Sequence, residues 1–173
     1  MASTLFHNAK QIITNSSEEI YDLAIIDDAS LLVTDGKVSW IGASKDAPAA
    51  ETIVDCADKV LLPGFVDSHS HLVFAGDRSE EFAARMAGES YSAGGINFTV
   101  EKTRAASEEE LRSNVARLIA EMQANGITHF EIKSGYGLTL QDEIRALKIA
   151  REFTEDVTLM AAHVVPNEFA DKR

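Results

Sequence analysis

The chain has 173 residues, with 16 Lys and Arg against 28 Asp and Glu, for a formal net charge of −12. That balance argues against nucleic acid or an anionic membrane as a partner. A single cysteine, Cys56, rules out an intramolecular disulfide and suits a reducing, cytoplasmic setting. No run approaches the ~20 apolar residues that cross a bilayer.

The first residues, Met1 to His7, lack the basic-then-apolar pattern of a secretory leader. Short β-like runs follow at Leu23–Ile26, Ser30–Val33 and Lys37–Gly42, with a further one at Thr52–Asp55. Thr34-Asp35-Gly36-Lys37 carries the Asp-Gly pair of a tight hairpin turn. Lys45 to Ala50 reads as a loop or short helical turn, and residues 1–62 as a small antiparallel sheet.

From Pro63 the pattern changes to alternating strands and helices, which defines a second region, 63–173. Gly64 to Leu72 is the first strand, and a long polar, glycine-containing connection follows it through Gly94-Gly95. Ser107 with Glu110 forms a capping box, and Leu111, Val115, Leu118, Ile119 and Met122 recur on one helical face. Asn125-Gly126 ends that helix, and Ile127 to Lys133 is the second strand. Thr139 caps another helix, with Leu140, Ile144, Leu147, Ala150 and Phe153 on its apolar stripe. Val157 to Ala162 is the third strand. Strand–helix–strand–helix–strand at this spacing predicts βαβ units on a parallel sheet, an α/β fold.

Ligands bind such folds at the carboxyl ends of the strands. Strand one ends in Asp67-Ser68-His69-Ser70-His71, with Asp77 and Arg78 beyond. Strand two runs into Lys133-Ser134-Gly135-Tyr136-Gly137, and strand three ends at His163. His69 and His71, two apart on a strand, point to one side with Cβ atoms roughly 7 Å apart. They can share a metal ion at about 2.0–2.1 Å, or be ordinary pocket residues. Arg78 is either a surface partner of Asp77, Glu80 and Glu81 or a planar fork for a substrate carboxylate. Tyr136, between two glycines, either packs on the rim or meets a ligand. His163 closes an apolar strand at the productive end. Tyr91 and Arg104 read as structural, and Glu108-Glu109-Glu110 as a solvated helical turn.

The stretch Leu62-Pro63-Gly64-Phe65-Val66-Asp67-Ser68-His69-Ser70-His71-Leu72 resembles the amidohydrolase superfamily. Its continuation, Gly76-Asp77-Arg78-Ser79-Glu80-Glu81-Phe82, with Lys133-Ser134-Gly135-Tyr136-Gly137-Leu138 and Ala162-His163-Val164-Val165-Pro166, resembles more narrowly the imidazolonepropionase family. The resemblance implies a metal-dependent (β/α)₈ barrel beside a β-sandwich, and hydrolytic opening of the cyclic amide 4-imidazolone-5-propanoate to N-formimidoyl-L-glutamate. It implies one divalent ion, zinc or iron, with His69 and His71 among its ligands. Arg78, Tyr136 and His163 match substrate-binding positions. It also implies a small-molecule substrate; separately, a homodimer is one assembly open to the chain.

A (β/α)₈ barrel takes about 250 residues, and only about 110 follow Pro63. The expectation is therefore the start of a barrel, some three strands, inactive by itself because the remaining ligands and the proton-shuttling aspartate belong to later strands. The connection around Ser90 to Ile96 is also shorter than the family pattern. Two alternatives stand beside this reading: another cyclic amidase or aminohydrolase of the superfamily, or a non-catalytic fragment that associates through its open sheet edge.

Overall fold

The structure is a computed structural model, and it describes residues 2–19, 21–88, 95–161, 163–166 and 168–169. The chain divides into two compact units, Met1–Pro63 and Gly64–Arg173. Tyr91 and most of the connection expected to be short lie outside the described residues. Among the described residues, no helix is long and apolar enough to cross a membrane.

The first unit is one five-stranded sheet. Its strands are β1 (Ser3–Ile13), β2 (Ile25–Thr34), β3 (Lys37–Ala43), β4 (Thr52–Asp55) and β5 (Val60–Leu61). The order is β3-β2-β1-β4, with β5 also on β1. The β2–β3 turn is the expected hairpin: Asp35 and Gly36 have φ of 49° and 79°, the two positive values a type I′ turn requires. The all-antiparallel expectation is corrected, because β4 and β5 run parallel to β1. Parallel pairing needs a crossover, and β1, the strand both pair with, lies in a stretch where the sequence pattern gave no strand. Asn8, at φ 60°, sits where the register slips between Phe6 and Ala9, so period-two alternation is interrupted. The runs at Leu23–Ile26 and Ser30–Val33 are largely one strand, and Asp28 inside it has φ 49°.

The second unit carries a parallel sheet of β6 (Phe65–Ser70), β7 (Ile127–Lys133) and β8 (Val157–Thr158), in that order. Helices α1 (Ser79–Met86), α2 (Gly95–Ala105), α3 (Glu108–Ala124) and α4 (Leu140–Ala150) connect the strands. Leu72, Val73, Leu111, Val115, Phe130, Ile132, Ala146, Ile149 and Ala150 form its core. Leu118, Ile119 and Met122 pack against that core, so the expected α3 stripe is the buried one.

Three expectations are corrected here. The connection after β6 is helical over α1 and α2. Gly95, Thr99, Val100 and Thr103 give α2 weak intrinsic propensity, and their burial supplies what propensity lacks. The third strand is only two residues long, because Ser134 Oγ, rather than a backbone carbonyl, accepts the Met160 N–H (3.2 Å) and ends the ladder. The buried side of α4 holds Glu143, Ala146, Ile149 and Ala150, while Leu140 is 80% exposed and Ile144 is exposed. The packed face therefore keeps Ala150 and Phe153 of the predicted apolar stripe but not Leu140 or Ile144.

The Ser107 capping box is present. Ser107 Oγ accepts the Glu110 N–H (3.2 Å), and Glu110 Oε2 accepts the Ser107 N–H (2.7 Å). Ser107→Ala in the complete protein is expected to cost about 1 kcal/mol, read from denaturant unfolding. The bond from the Ser107 N–H, then that from its hydroxyl, holds the Glu110 carboxyl below its usual range. A depressed folded-state value means this contribution is present above the unfolded carboxylate pKa. It is lost as pH falls through the folded value. Glu110→Gln should remove that acid-limb dependence.

Candidate metal and substrate site

The carboxyl ends of three parallel strands share one edge of the sheet, and the loops after them bring the site residues together. His69 is the penultimate residue of β6, Ser70 ends it, and His71 lies one residue past it. The turn between them is tied by Asp67, whose carboxyl accepts the His69 N–H (3.0 Å) and the Ser70 hydroxyl (2.6 Å). The imidazole rings of His69 and His71 lie 5.5 Å apart between centroids. His163, in a bend beyond β8, stacks on His71 at 4.7 Å and 13°. Tyr136, on the β7–α4 loop, is 5.2 Å from His71 and 5.5 Å from His163. Phe74 meets Tyr136 edge-on at 6.1 Å.

Arg78 reaches the same region through a cleft of about 810 Å³ that it lines together with Phe74, Asn114 and Tyr136. The loop carrying Arg78 is pinned from behind. Asn114 Nδ2 donates to the Phe74 carbonyl (2.9 Å), and the Ala75 N–H donates to Thr103 Oγ1 (3.0 Å). Asp77 accepts the Ser79 N–H (2.8 Å), fixing the start of α1 directly after Arg78.

Burial, followed by the neighbouring His163 and His69, pushes the His71 imidazole below its ordinary pKa, against a Ser134 backbone hydrogen bond that raises it. The neutral ring so favoured is the form that binds a metal. Its Nδ1, like that of His163, is buried with no hydrogen-bond partner among the described residues. An unpartnered ring nitrogen beside a second imidazole fits part of a metal's ligand shell. Among the described residues, no set of three or more His, Cys, Asp or Glu converges into a complete one.

The sequence places Lys133 at the tip of the second strand without giving it or Glu131 a role. On β7, Phe130 and Ile132 are buried in the core, so Glu131 and Lys133 share the opposite face. Lys133 Nζ donates to Glu131 Oε1 (2.7 Å), and the Thr158 hydroxyl bonds the same oxygen. Lys133 and then Thr158 hold the Glu131 carboxyl below its usual range. The signal was the alternation of polar and apolar residues over His129–Lys133. Arg104 bonds within the protein: its Nε donates to the Gly137 carbonyl (2.6 Å), and it pairs with Glu168 (3.0 Å).

Gly135 has φ +137°, and a Cβ there would stand 2.9 Å from His163 Nδ1. Gly135→Ala in the complete protein is therefore expected to displace the His163 ring and cost about 1–3 kcal/mol, read from thermal unfolding and a crystal structure. An unchanged ring position would contradict this contact.

No protein-family model matches the chain. It is 51% identical over 172 residues to the imidazolonepropionase of Mycolicibacterium smegmatis, covering 99% of this chain and 43% of that protein. It is 52% identical to that of Salinispora tropica, covering 99% and 44%. The chain thus spans less than half the length of the curated relatives it matches. Among solved structures, a triazine hydrolase from Arthrobacter aurescens superposes with a TM-score of 0.63 at 17% identity, covering 88% of this chain and 34% of that one. The atrazine chlorohydrolase of the same species, solved with zinc, gives a TM-score of 0.57 at 18% identity, covering 84% and 33%. These likenesses show that the chain shares the fold of about a third of each of those hydrolases. In sequence, it is similar over almost all of its length to an N-terminal portion of imidazolonepropionases.

Proposed function

We propose that the complete protein is an imidazolonepropionase, hydrolysing 4-imidazolone-5-propanoate to N-formimidoyl-L-glutamate in histidine degradation. This chain then supplies the first part of its site. The observation that carries the reading is the gathering of His69, His71, Tyr136 and His163 within about ring-contact distance, beside the cleft that Arg78 lines. Roughly half-identical sequence to proteins of that name supports it.

On this reading His69 and His71 hold one divalent ion, zinc or iron, together with ligands from elsewhere in the protein. When bound, the ion supplies Lewis acidity and a water acidic enough to act at neutral pH. Arg78 receives the propanoate carboxylate, for which its planar fork is suited. Tyr136 and His163 hydrogen-bond the imidazolone ring, orient it, and steady charge developing on its oxygen and nitrogen. Phe74 and the His71–His163 stack wall the ring side and limit water there. The single cysteine and the net charge of −12 support a cytoplasmic enzyme acting on a small molecule without nucleic-acid or membrane partners.

The test is metal analysis and turnover on the complete protein. One equivalent of zinc or iron with hydrolysis of the imidazolone is expected. Turnover confined to a different cyclic amide or an aminopyrimidine-type substrate would overturn the substrate assignment.

A further inference from the structure

We infer that Glu143 is a positioning residue for Tyr136, gripping the loop on which that ring stands. The inference rests on the functional reading above and adds a residue that touches neither metal nor substrate.

Glu143 lies in the first turn of α4 and is only 3% exposed. One of its oxygens, Oε1, accepts both the Gly137 N–H (3.0 Å) and the Leu138 N–H (2.7 Å). From the other side, Arg104 Nε donates to the Gly137 carbonyl (2.6 Å). The residue directly after Tyr136 is therefore held at both its N–H and its C=O.

The loop needs such a grip. Gly135 has φ +137° and Leu138 has φ 58°, conformations that L side chains rarely adopt. Gly137 is pressed so close to α4 that a Cβ would fall 2.7 Å from the Asp142 carbonyl carbon. Backbone held this way persists only where its surroundings over-determine it.

Helix capping does not account for Glu143. Thr139 Oγ1 already accepts the Asp142 N–H (3.1 Å) and bonds Asp142 Oδ2 (2.7 Å), which caps α4 without it. A carboxyl group this deeply buried is costly unless its bonds are needed. The bonds Glu143 makes go to the loop that delivers Tyr136 to His71 and His163.

The experiment uses the complete protein, with hydrogen–deuterium exchange over residues 134–139 and steady-state kinetics. Glu143→Leu removes the acceptor. Glu143→Asp keeps the acid but withdraws it by one methylene and serves where the Leu variant does not fold. Each is expected to speed exchange at Gly137 and Leu138 by about tenfold or more. Glu143→Gln can leave an acceptor oxygen in place and should restore most of the protection. The kinetic losses of Glu143→Leu (or Asp) and Tyr136→Phe should overlap, so the double variant is little worse than the poorer single one.

Unchanged exchange in Glu143→Asp, or fully additive losses with Tyr136→Phe, would overturn the inference. If the wild-type protein shows no imidazolone turnover, the functional reading fails. The Tyr136 cycle is then run on whichever substrate the enzyme accepts, and the exchange data still decide whether Glu143 grips the loop.

Discussion

His71→Asn in the complete protein is expected to abolish stoichiometric metal and nearly all turnover. His71 is half-buried between His69 and His163, with its Nδ1 enclosed, and partial burial and those neighbours favour its neutral, ligating form. Loss of a residue that merely orients a ligand weakens metal binding by roughly 10–100-fold, and loss of a ligand should exceed that. Turnover should fall by about a thousandfold or more, the several kcal/mol that a Lewis acid contributes. Metal content by mass spectrometry and initial rates check both expectations. His69→Asn should behave alike, because the two rings share one site. Full metal occupancy and unaltered rates in either variant would remove the metal reading. The ring stack offers a second readout, since loss of His71 leaves His163 without its 4.7 Å partner.

Arg78→Met is expected to cut kcat/KM on the propanoate-bearing substrate by about 100-fold, the worth of a charge-assisted bond to a buried carboxylate. The loss should fall mainly on KM, because the carboxylate lies away from the reacting carbonyl and is bound alike in ground and transition states. A ring substrate lacking the carboxylate should be turned over equally by wild type and variant. Equal losses on both substrates would mean that Arg78 organises the loop instead of clamping the tail. The geometry gives that second outcome a concrete form: Arg78 lies between the Asp77–Ser79 bond and the segment pinned by Asn114 and Thr103, so misfolding of this loop would disturb Phe74 and Tyr136 together.

Both effects concern residues whose types were legible in the sequence, and their convergence depended on different physics. The pairing of His69 and His71 was legible from the two-residue period of a strand, and the structure holds their rings 5.5 Å apart although β6 ends at Ser70 and its register shifts between Asp67 and Ser70. Ser107, Thr139 and Asn125-Gly126 announced helix ends because caps are made within three or four residues. The Asp35-Gly36 turn was equally local.

The failures share a cause. Strand β1 escaped notice because the bulge at Asn8 breaks its alternation. Helix α2 escaped because its β-branched and glycine residues become favourable only once Thr99, Val100 and Thr103 are buried. The inward face of α4 escaped because Glu143 is drawn in by N–H groups of the preceding loop, and a carboxylate in a first turn otherwise reads as solvated. Tyr136 between two glycines looked equally like a rim aromatic.

By itself the sequence determined the residue types, the caps, the hairpin and the strand that carries His69, since each follows from backbone periodicity or a side chain bonding its near neighbours. The tertiary structure alone decided that residues from three separate loops meet. That meeting requires long-range closure: Thr103 and Asn114 seat the loop before Arg78, Glu143 and Arg104 seat the loop bearing Tyr136, and Ser134 ends β8 where the chain turns toward His163. Those partners lie up to 40 residues apart in the chain, beyond the reach of any local rule.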